Sequence, residues 1–240
     1  MCTTCGCGPG AGGEPPSRPA LRRVSLERNL LARNDALAAR NRARCGAQGW
    51  LALNLVSSPG AGKTALLEAT LGHLMGRVPV AVIAGDPQTR RDAVRIEAAG
   101  APVVQVNTGR GCHLDAGAVG RALDRLAPPP GAVVLIENVG NLVCPALFDL
   151  GEAHKVVLLS VTEGEDKPLK YPDTFAAADL LLLTKVDLLP HLRFRVDRCL
   201  ACVRRVNPGL AVLQVSAQTG QGLDAWLDWI QARRRAPGGT

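Results

Sequence analysis

After Gly46 the chain alternates short, uninterrupted Val/Leu/Ile runs with helical stretches, and this alternation narrows the fold more than any other feature. The runs lie at 50–56 (WLALNLV), 79–84 (PVAVIA), 102–106 (PVVQV), 132–136 (AVVLI), 155–161 (KVVLLSV), 179–183 (DLLLL) and 211–215 (AVLQV). Strands this uniformly apolar are buried on both faces, so the sheet must be mostly parallel and covered by helices on either side. The expected fold class is α/β, a mostly parallel sheet of about seven strands flanked by helices. Ligands of such sheets sit beyond the carboxyl ends of the strands, so the residues that close each run are the candidates for chemistry.

The first run leads into Ser57-Ser58-Pro59-Gly60-Ala61-Gly62-Lys63-Thr64, then Ala65 and the helical pattern ALLEATLGHLM. Strand, Gly-rich turn, Lys-Thr and helix in that order make a P-loop, with Ser57 where the first glycine would stand. Gly60 and Gly62 let backbone amides converge on phosphate oxygens at a helix N-terminus. Lys63 can neutralise β/γ charge, and the Thr64 hydroxyl can reach Mg²⁺. Asp86 (AGDPQT) follows the second run and Glu137 (LIENVG) the fourth, with Gly140 three residues on. Phosphoryl transfer needs carboxylates for the magnesium shell and a loop that senses the γ-phosphate. Lys63, Thr64, Asp86 and Glu137 are therefore the candidate catalytic residues.

Base choice is suggested by Thr184-Lys185-Val186-Asp187, just after the sixth run. An aspartate there can accept from the paired N–H groups of guanine, which adenine does not present, while the Lys185 stem covers the purine. Thr184 stands where GTP-binding proteins usually have Asn, which predicts weaker local bracing. Ser216-Ala217, after the last run, matches a short loop that supports guanine. The pattern points to GTP.

Eight cysteines lie in a chain with no basic segment leading into an apolar run at its start, so a cytoplasmic protein is expected. In that reducing compartment they read as thiolate ligands or small buried residues. Cys2, Cys5 and Cys7 form a cluster tethered by the Gly/Pro-rich stretch 8–20, expected to be a flexible linker. Cys112 and His113 (NTGRGCHLDA) follow the third run and Cys144 (ENVGNLVCP) the fourth, so both segments leave one sheet edge. Cys and His together suit Zn²⁺ or Ni²⁺, with a further position left for water, substrate or a second subunit. Cys199 and Cys202 read as neighbours on one helix face, and Cys45, His73 and His154 receive no role.

Leu26, Leu30 and Leu37 recur near helical spacing among arginines, which predicts an amphipathic helix over 21–46 whose apolar stripe needs a partner surface. The expected organisation is a metal-binding motif at 1–7, disordered on its own, then the linker at 8–20, this helix, and a GTPase domain at 47–236. The net charge of +7 comes from scattered arginines with aromatics at only 3%, which argues against a nucleic-acid partner. No apolar run approaches the roughly 18 residues of a membrane span, so no membrane role is expected.

In combination, MCTTCGCG, SLERNLLARNDALAARNRAR, LNLVSSPGAGKT, GDPQT, NTGRGCHLDA, IENVGNLVCP, TKVDLLP and VSAQTGQGL resemble the hydrogenase nickel-incorporation GTPases, the HypB family, of the signal-recognition-particle/MinD class. The resemblance implies a slow GTPase that couples GTP binding and hydrolysis to nickel delivery into the [NiFe]-hydrogenase large-subunit precursor. It implies a high-affinity nickel site from Cys2, Cys5 and Cys7, with the Met1 amine as a fourth ligand. A weaker nickel or zinc site from Cys112, His113 and Cys144 would lie at a GTP-promoted homodimer interface. The implied accessory partners are a zinc-containing co-chaperone and a metal-binding prolyl isomerase. Nickel itself comes from the resemblance, since a thiolate-rich site points as well to zinc or Cu(I).

Two departures stand out: the linker has no histidine-rich stretch, and Ala84-Gly85-Asp86 stands where EGD is expected. Rival readings are a passive nickel/zinc buffer with a vestigial nucleotide site, a small-molecule kinase, and a related urease-type assembly GTPase. The intact Lys63, Thr64 and Asp187 speak against the buffer, and TKVD against the ATP preference of a kinase.

Overall fold

The computed structural model describes residues 18–86, 91–109 and 111–235, with side chains from Asn29 onward except those of Asp86, Arg91 and Asp92. Seven parallel strands form one sheet in the order β3-β2-β4-β1-β5-β6-β7. They are β1 (Leu51–Ser57), β2 (Val80–Asp86), β3 (Val103–Asn107), β4 (Val133–Gly140), β5 (His154–Ser160), β6 (Leu180–Thr184) and β7 (Ala211–Val215). The expected α/β sheet is present, with each strand close to its apolar run. Because all seven run the same way, the residues that close each strand gather at one edge.

Side chains alternate between the two faces with period two. On one face Leu53, Leu55, Val82, Leu135 and Leu158 meet α2 (Lys63–Leu74), α3 (Arg91–Ala98) and α9 (Leu223–Arg235). Trp226 and Ile230 of α9 are buried there, and the Trp226 indole N–H donates to Thr70 Oγ1 at 3.0 Å. On the other face Ala52, Ile83 and Val134 meet α4 (Ala116–Leu126), while Val157, Leu159 and Leu181 meet α7 (Pro172–Ala176) and α8 (Val196–Val206). Two four-residue helices, α5 (Cys144–Leu147) and α6 (Lys167–Lys170), lie in the connections that follow β4 and β5. No described helix is long and apolar enough to cross a membrane.

The first helix, α1, spans Arg18–Gln48, so three residues assigned to the linker are helical and the helix outruns its expected end at 46. Its buried face also differs from the expected leucine stripe. Leu30 is 62% exposed, whereas Asn34, Ala38, Asn41 and Cys45 are buried at a spacing of four, three and four residues. The reason is hydrogen bonding to loops rather than greasy packing. Asn34 Nδ2 donates to Asp149 O at 2.8 Å and its Oδ1 accepts from Ala116 N at 2.9 Å. Asn41 Nδ2 donates to both Ala116 O and Leu150 O, at 2.8 and 2.9 Å. Each such buried bond is worth about 1 kcal/mol, but leaving one carbonyl unsatisfied costs about 1–3 kcal/mol, which makes the helix register exacting.

Gly151, at φ +85, lets this loop press onto α1, since a Cβ there would come within 2.6 Å of Asn41 Cβ and 2.8 Å of Arg42 N. Gly151→Ala should therefore destabilise the protein by about 2–3 kcal/mol in urea denaturation. Gly220 has a similar φ of +82 but open space around it, so Gly220→Ala should lose only about 1 kcal/mol. Equal losses would show that the α1 contact contributes nothing beyond backbone strain.

Candidate nucleotide and metal sites

Gly60 and Gly62 adopt φ +74 and +94 in the β1–α2 turn, conformations that a side chain would strain. Gly62 is the N-cap of α2 and brings no side-chain oxygen to the first-turn amides, which leaves them directed at an anion. Lys63 is 9% exposed, and its Nζ donates to the buried Ser57 Oγ at 2.8 Å. Ser57 Oγ in turn donates to Ser58 O at 2.6 Å. The serine that replaces the first P-loop glycine thus gives the ammonium a hydroxyl to rest on. A second cation, unforeseen from sequence, also reaches the loop. Lys167 Nζ donates to Ser58 Oγ at 3.0 Å while pairing with Glu163 at 3.1 Å.

The Thr64 hydroxyl donates to Glu137 Oε1 at 2.7 Å, and Glu137 is 4% exposed. A hydroxyl and a carboxylate held together at a P-loop are hard oxygen donors of the kind that share a magnesium shell. Glu137 does not follow β4, as its place after an apolar run implied, but lies inside it, beside Leu55 of β1 and Ala84 of β2. The strand continues because Gly140 still pairs with Ser57. An acid at position 84 would place a second carboxylate directly beside Glu137, and Ala84 avoids that repulsion. A Cβ on Gly140 would stand 3.0 Å from Pro59 Cα, so the end of β4 abuts the P-loop. The backbone of Asp86 ends β2 at the same edge, opposite Asn107; its side chain is outside the described residues.

A cavity of about 470 Å³ opens beside the P-loop, within the usual range of ligand clefts. Gly62, Ala65, Thr184, Lys185, Asp187 and Ala217 line it, so the turn, the TKVD segment and the last loop converge as expected. Thr184 does brace the turn. Its hydroxyl donates to Ala61 O at 2.7 Å, which ties β6 to the P-loop by a bond that needs only one donor. Lys185, at φ +60, sends Nζ to Gly60 O at 2.8 Å, and its Cε would lie 3.7 Å from a Cβ on Gly62. Ser216 is fully buried and shapes its loop, accepting at Oγ from Thr219 N at 3.1 Å. The cavity also touches Glu68 and Arg95, which form an ion pair through Nε and Nη2 at 2.8 and 2.5 Å. No sequence motif marked that pair, because its partners are 27 residues apart on α2 and α3.

At the same edge the Cys112, His113 and Cys144 donor atoms lie within 4.8 Å of one another. Two ligand atoms about 2.0–2.3 Å from one tetrahedral ion stand roughly 3.3–3.8 Å apart. The 3.6 Å between Cys112 Sγ and His113 Nδ1 matches that edge, while the two thiols, 2.7 Å apart, would have to part by roughly 1 Å. The Cys112 contact and burial push the Cys144 thiol up, whereas burial pushes His113 down, keeping its imidazole neutral and able to ligate. His113 stacks on Phe148 with ring centroids 3.9 Å apart, which restrains the imidazole. Val143 and Leu147, beside Cys144, are 55% and 56% exposed.

Cys2, Cys5 and Cys7 lie outside the described residues. Cys199 is buried and pushed up to about 12 mainly by burial, so it stays a thiol, consistent with its reading as a packed helix residue. Cys45 is buried against α4.

Lys63→Ala should weaken nucleoside triphosphate binding by about 30- to 150-fold, the loss of about 2–3 kcal/mol of charge-assisted hydrogen bonding to phosphate. Titration with a fluorescent nucleotide reads this directly. Unchanged affinity would remove Lys63 from the phosphate site.

Residues 51–214 match the family model for the CobW/HypB/UreG nucleotide-binding domain. The chain is 59% identical over 230 residues to the hydrogenase maturation factor HypB of Azotobacter chroococcum, covering 93% of this chain and 75% of that protein. It is 57% identical over 226 residues to HypB of Escherichia coli, covering 94% and 78%. Its fold superposes on the crystal structure of Helicobacter pylori HypB in complex with nickel with a TM-score of 0.80, at 36% identity, over 87% of this chain and 98% of the other. The chain belongs to the HypB hydrogenase maturation factors, within the CobW/HypB/UreG nucleotide-binding family.

Proposed function

We propose that the protein is a nickel-binding GTPase that uses GTP binding and slow hydrolysis to time nickel delivery into the [NiFe]-hydrogenase large-subunit precursor. The observation that carries this reading is the continuity of Glu137–Cys144. Glu137 contacts Thr64 of the P-loop, and seven residues on, Cys144 joins Cys112 and His113. One segment of backbone thus bears both a nucleotide contact and a metal donor.

In this mechanism the 58–65 turn cradles the β- and γ-phosphates, and Lys63 leaves Ser57 to meet their charge. Asp187 selects guanine, Lys185 covers the purine, and Ser216 and Ala217 close the loop around it. Thr64 and Glu137, with Asp86, would hold Mg²⁺, which would supply positive charge against the developing charge of phosphoryl transfer. Hydrolysis transfers the γ-phosphoryl group to water and releases phosphate. Arg95, which lines the same cavity, is paired with Glu68, and turnover is expected to be slow. Loss of the γ-phosphate lets the segment after Glu137 relax and loosens the Cys112–His113–Cys144 site.

Nickel is the cargo, held first by Cys2, Cys5 and Cys7 on their tether and then passed by thiolate exchange. Zn²⁺ competes for the core site, whose two sulfurs and one nitrogen suit either ion. Exposed Val143 and Leu147 flank Cys144, as suits a GTP-promoted homodimer in which a partner subunit completes the coordination. The working compartment is the cytoplasm, with a zinc-containing co-chaperone and a metal-binding prolyl isomerase as further partners.

The test is nickel titration of the intact protein beside a variant carrying Cys2→Ala, Cys5→Ala and Cys7→Ala, each with GDP and with a non-hydrolysable GTP analogue. The variant should lose the tight site alone. Its remaining site should differ at least about tenfold in affinity between nucleotides, a coupling of about 1.4 kcal/mol. Equal affinities would reduce the protein to a passive metal buffer.

A further inference from the structure

We propose that Asn138 and Asn141 are the positioning residues that carry nucleotide state from Glu137 to the Cys112–His113 arm of the metal site. The inference rests on the coupling proposed above and says which atoms transmit it.

Between Leu55↔Glu137 and Ser57↔Gly140 the ladder advances two residues on β1 but three on β4, so β4 carries a bulge at Asn138–Val139. A bulge disrupts the ladder locally, and here the Asn138 side chain offers an acceptor beside it. Its Oδ1 accepts from Val139 N at 2.9 Å. The same oxygen accepts from Leu114 N at 3.1 Å, one residue beyond His113. Glu137 and Asn138 point to opposite faces of the sheet because they are consecutive in a strand. A contact made with the P-loop on the α2 face is thereby felt on the α4 face, where the metal arm lies.

Asn138 is 1% exposed and cannot reorient freely, because its Nδ2 donates to Asn54 Oδ1 at 3.2 Å and Asn54 Nδ2 donates to Glu152 Oε1 at 3.0 Å. Glu152 Oε2 accepts from Leu150 N at 2.7 Å, and Asn41 of α1 bridges Leu150 O back to Ala116 O. The chain of bonds closes on the loop where it began. Leu114 itself is fully buried, and a Cβ on Gly85 would stand 2.8 Å from its Cγ, so it also presses on β2 one residue before Asp86. Leu114 is thus held by both strands that carry the candidate magnesium ligands.

Asn141 grips the site from its exposed side. Its Nδ2 donates to Cys112 O at 3.2 Å, and its Oδ1 accepts from Val143 N at 2.8 Å, one residue before Cys144. One amide therefore spans both arms that bear the donors. Movement of the bulge changes the spacing of Cys112, His113 and Cys144 together.

The test uses the full-length chain with Cys2, Cys5 and Cys7 changed to Ala as parent, so that only the core site titrates. Nickel(II) affinity is measured with GDP and with a non-hydrolysable GTP analogue, alongside nucleotide affinity and thermal melting, for the parent, Asn141→Ala, Asn141→Asp and Asn138→Ala. The readout is the ratio of nickel affinities in the two nucleotide states. That ratio should fall at least threefold toward one in Asn141→Ala and Asn138→Ala. Asn141→Asp, which keeps the acceptor for Val143 N and loses the donor to Cys112 O, should also lower it. A merely structural role would lower the melting temperature or both affinities and leave the ratio at the parent value, and that result overturns the inference. If Asn138→Ala fails to fold, the variants at the half-buried Asn141 decide alone. A parent ratio of one overturns the coupling reading and this inference with it, whereas a parent ratio preserved in the variants overturns this inference alone.

Discussion

The hydrogen bond from the Thr64 hydroxyl to the Glu137 carboxylate joins the helix at the candidate phosphate site to the strand that leads to the candidate metal donors. Glu137 is buried in the middle of the sheet, between Leu55 and Ala84, where an ionised carboxylate is tolerated only with strong partners. Its environment therefore depends on what stands at the P-loop. The parallel sheet makes such dependence productive, because it brings the ends of β1, β2, β4 and β6 to one edge. The candidate nucleotide cavity and the thiol-imidazole cluster can then share strands without sharing ligands.

Behind that edge lies a buried set of amides and one carboxylate, Asn34, Asn41, Asn54, Asn138 and Glu152, in positions where most proteins of this fold class would place aliphatic residues. Burying them is unfavourable unless every bond is made, and burial raises the Glu152 carboxyl against the pull of nearby Lys155. The return is definition. The segments carrying Leu114, Ala116, Leu150 and Val139 have one satisfied arrangement, where a greasy interface would permit sliding. This is also how α1 acquires its place, since its asparagines hold the loops on either side of the metal arm.

Much of this was legible in the sequence. The seven apolar runs mark the strands to within a few residues, and the glycines of 57–64 turn out to need left-handed backbone at Gly60 and Gly62. The shared edge of Cys112, His113 and Cys144 follows from the parallel sense of the strands alone. What sequence reasoning missed has a common physical cause. Asparagines on α1 look like a solvated face, because periodicity counts hydrophobicity and ignores hydrogen bonds to distant loops. Thr184 stands where Asn is usual, and the bond from its hydroxyl to Ala61 O spans 123 residues of sequence. Glu68 with Arg95, Lys167 with Ser58 and the bulge at Asn138 depend on tertiary register, which no local pattern encodes.

The central claim is that nucleotide state reaches the metal arm through β4 itself, before any metal binds. Hydrogen–deuterium exchange in metal-free protein tests it most directly, comparing GDP with a non-hydrolysable GTP analogue over the peptides that contain Leu114 and Val139. The account predicts that both peptides change protection together between the two nucleotides, while the amides of α8, remote from this path, stay constant. Identical exchange at Leu114 and Val139 in both states would contradict it.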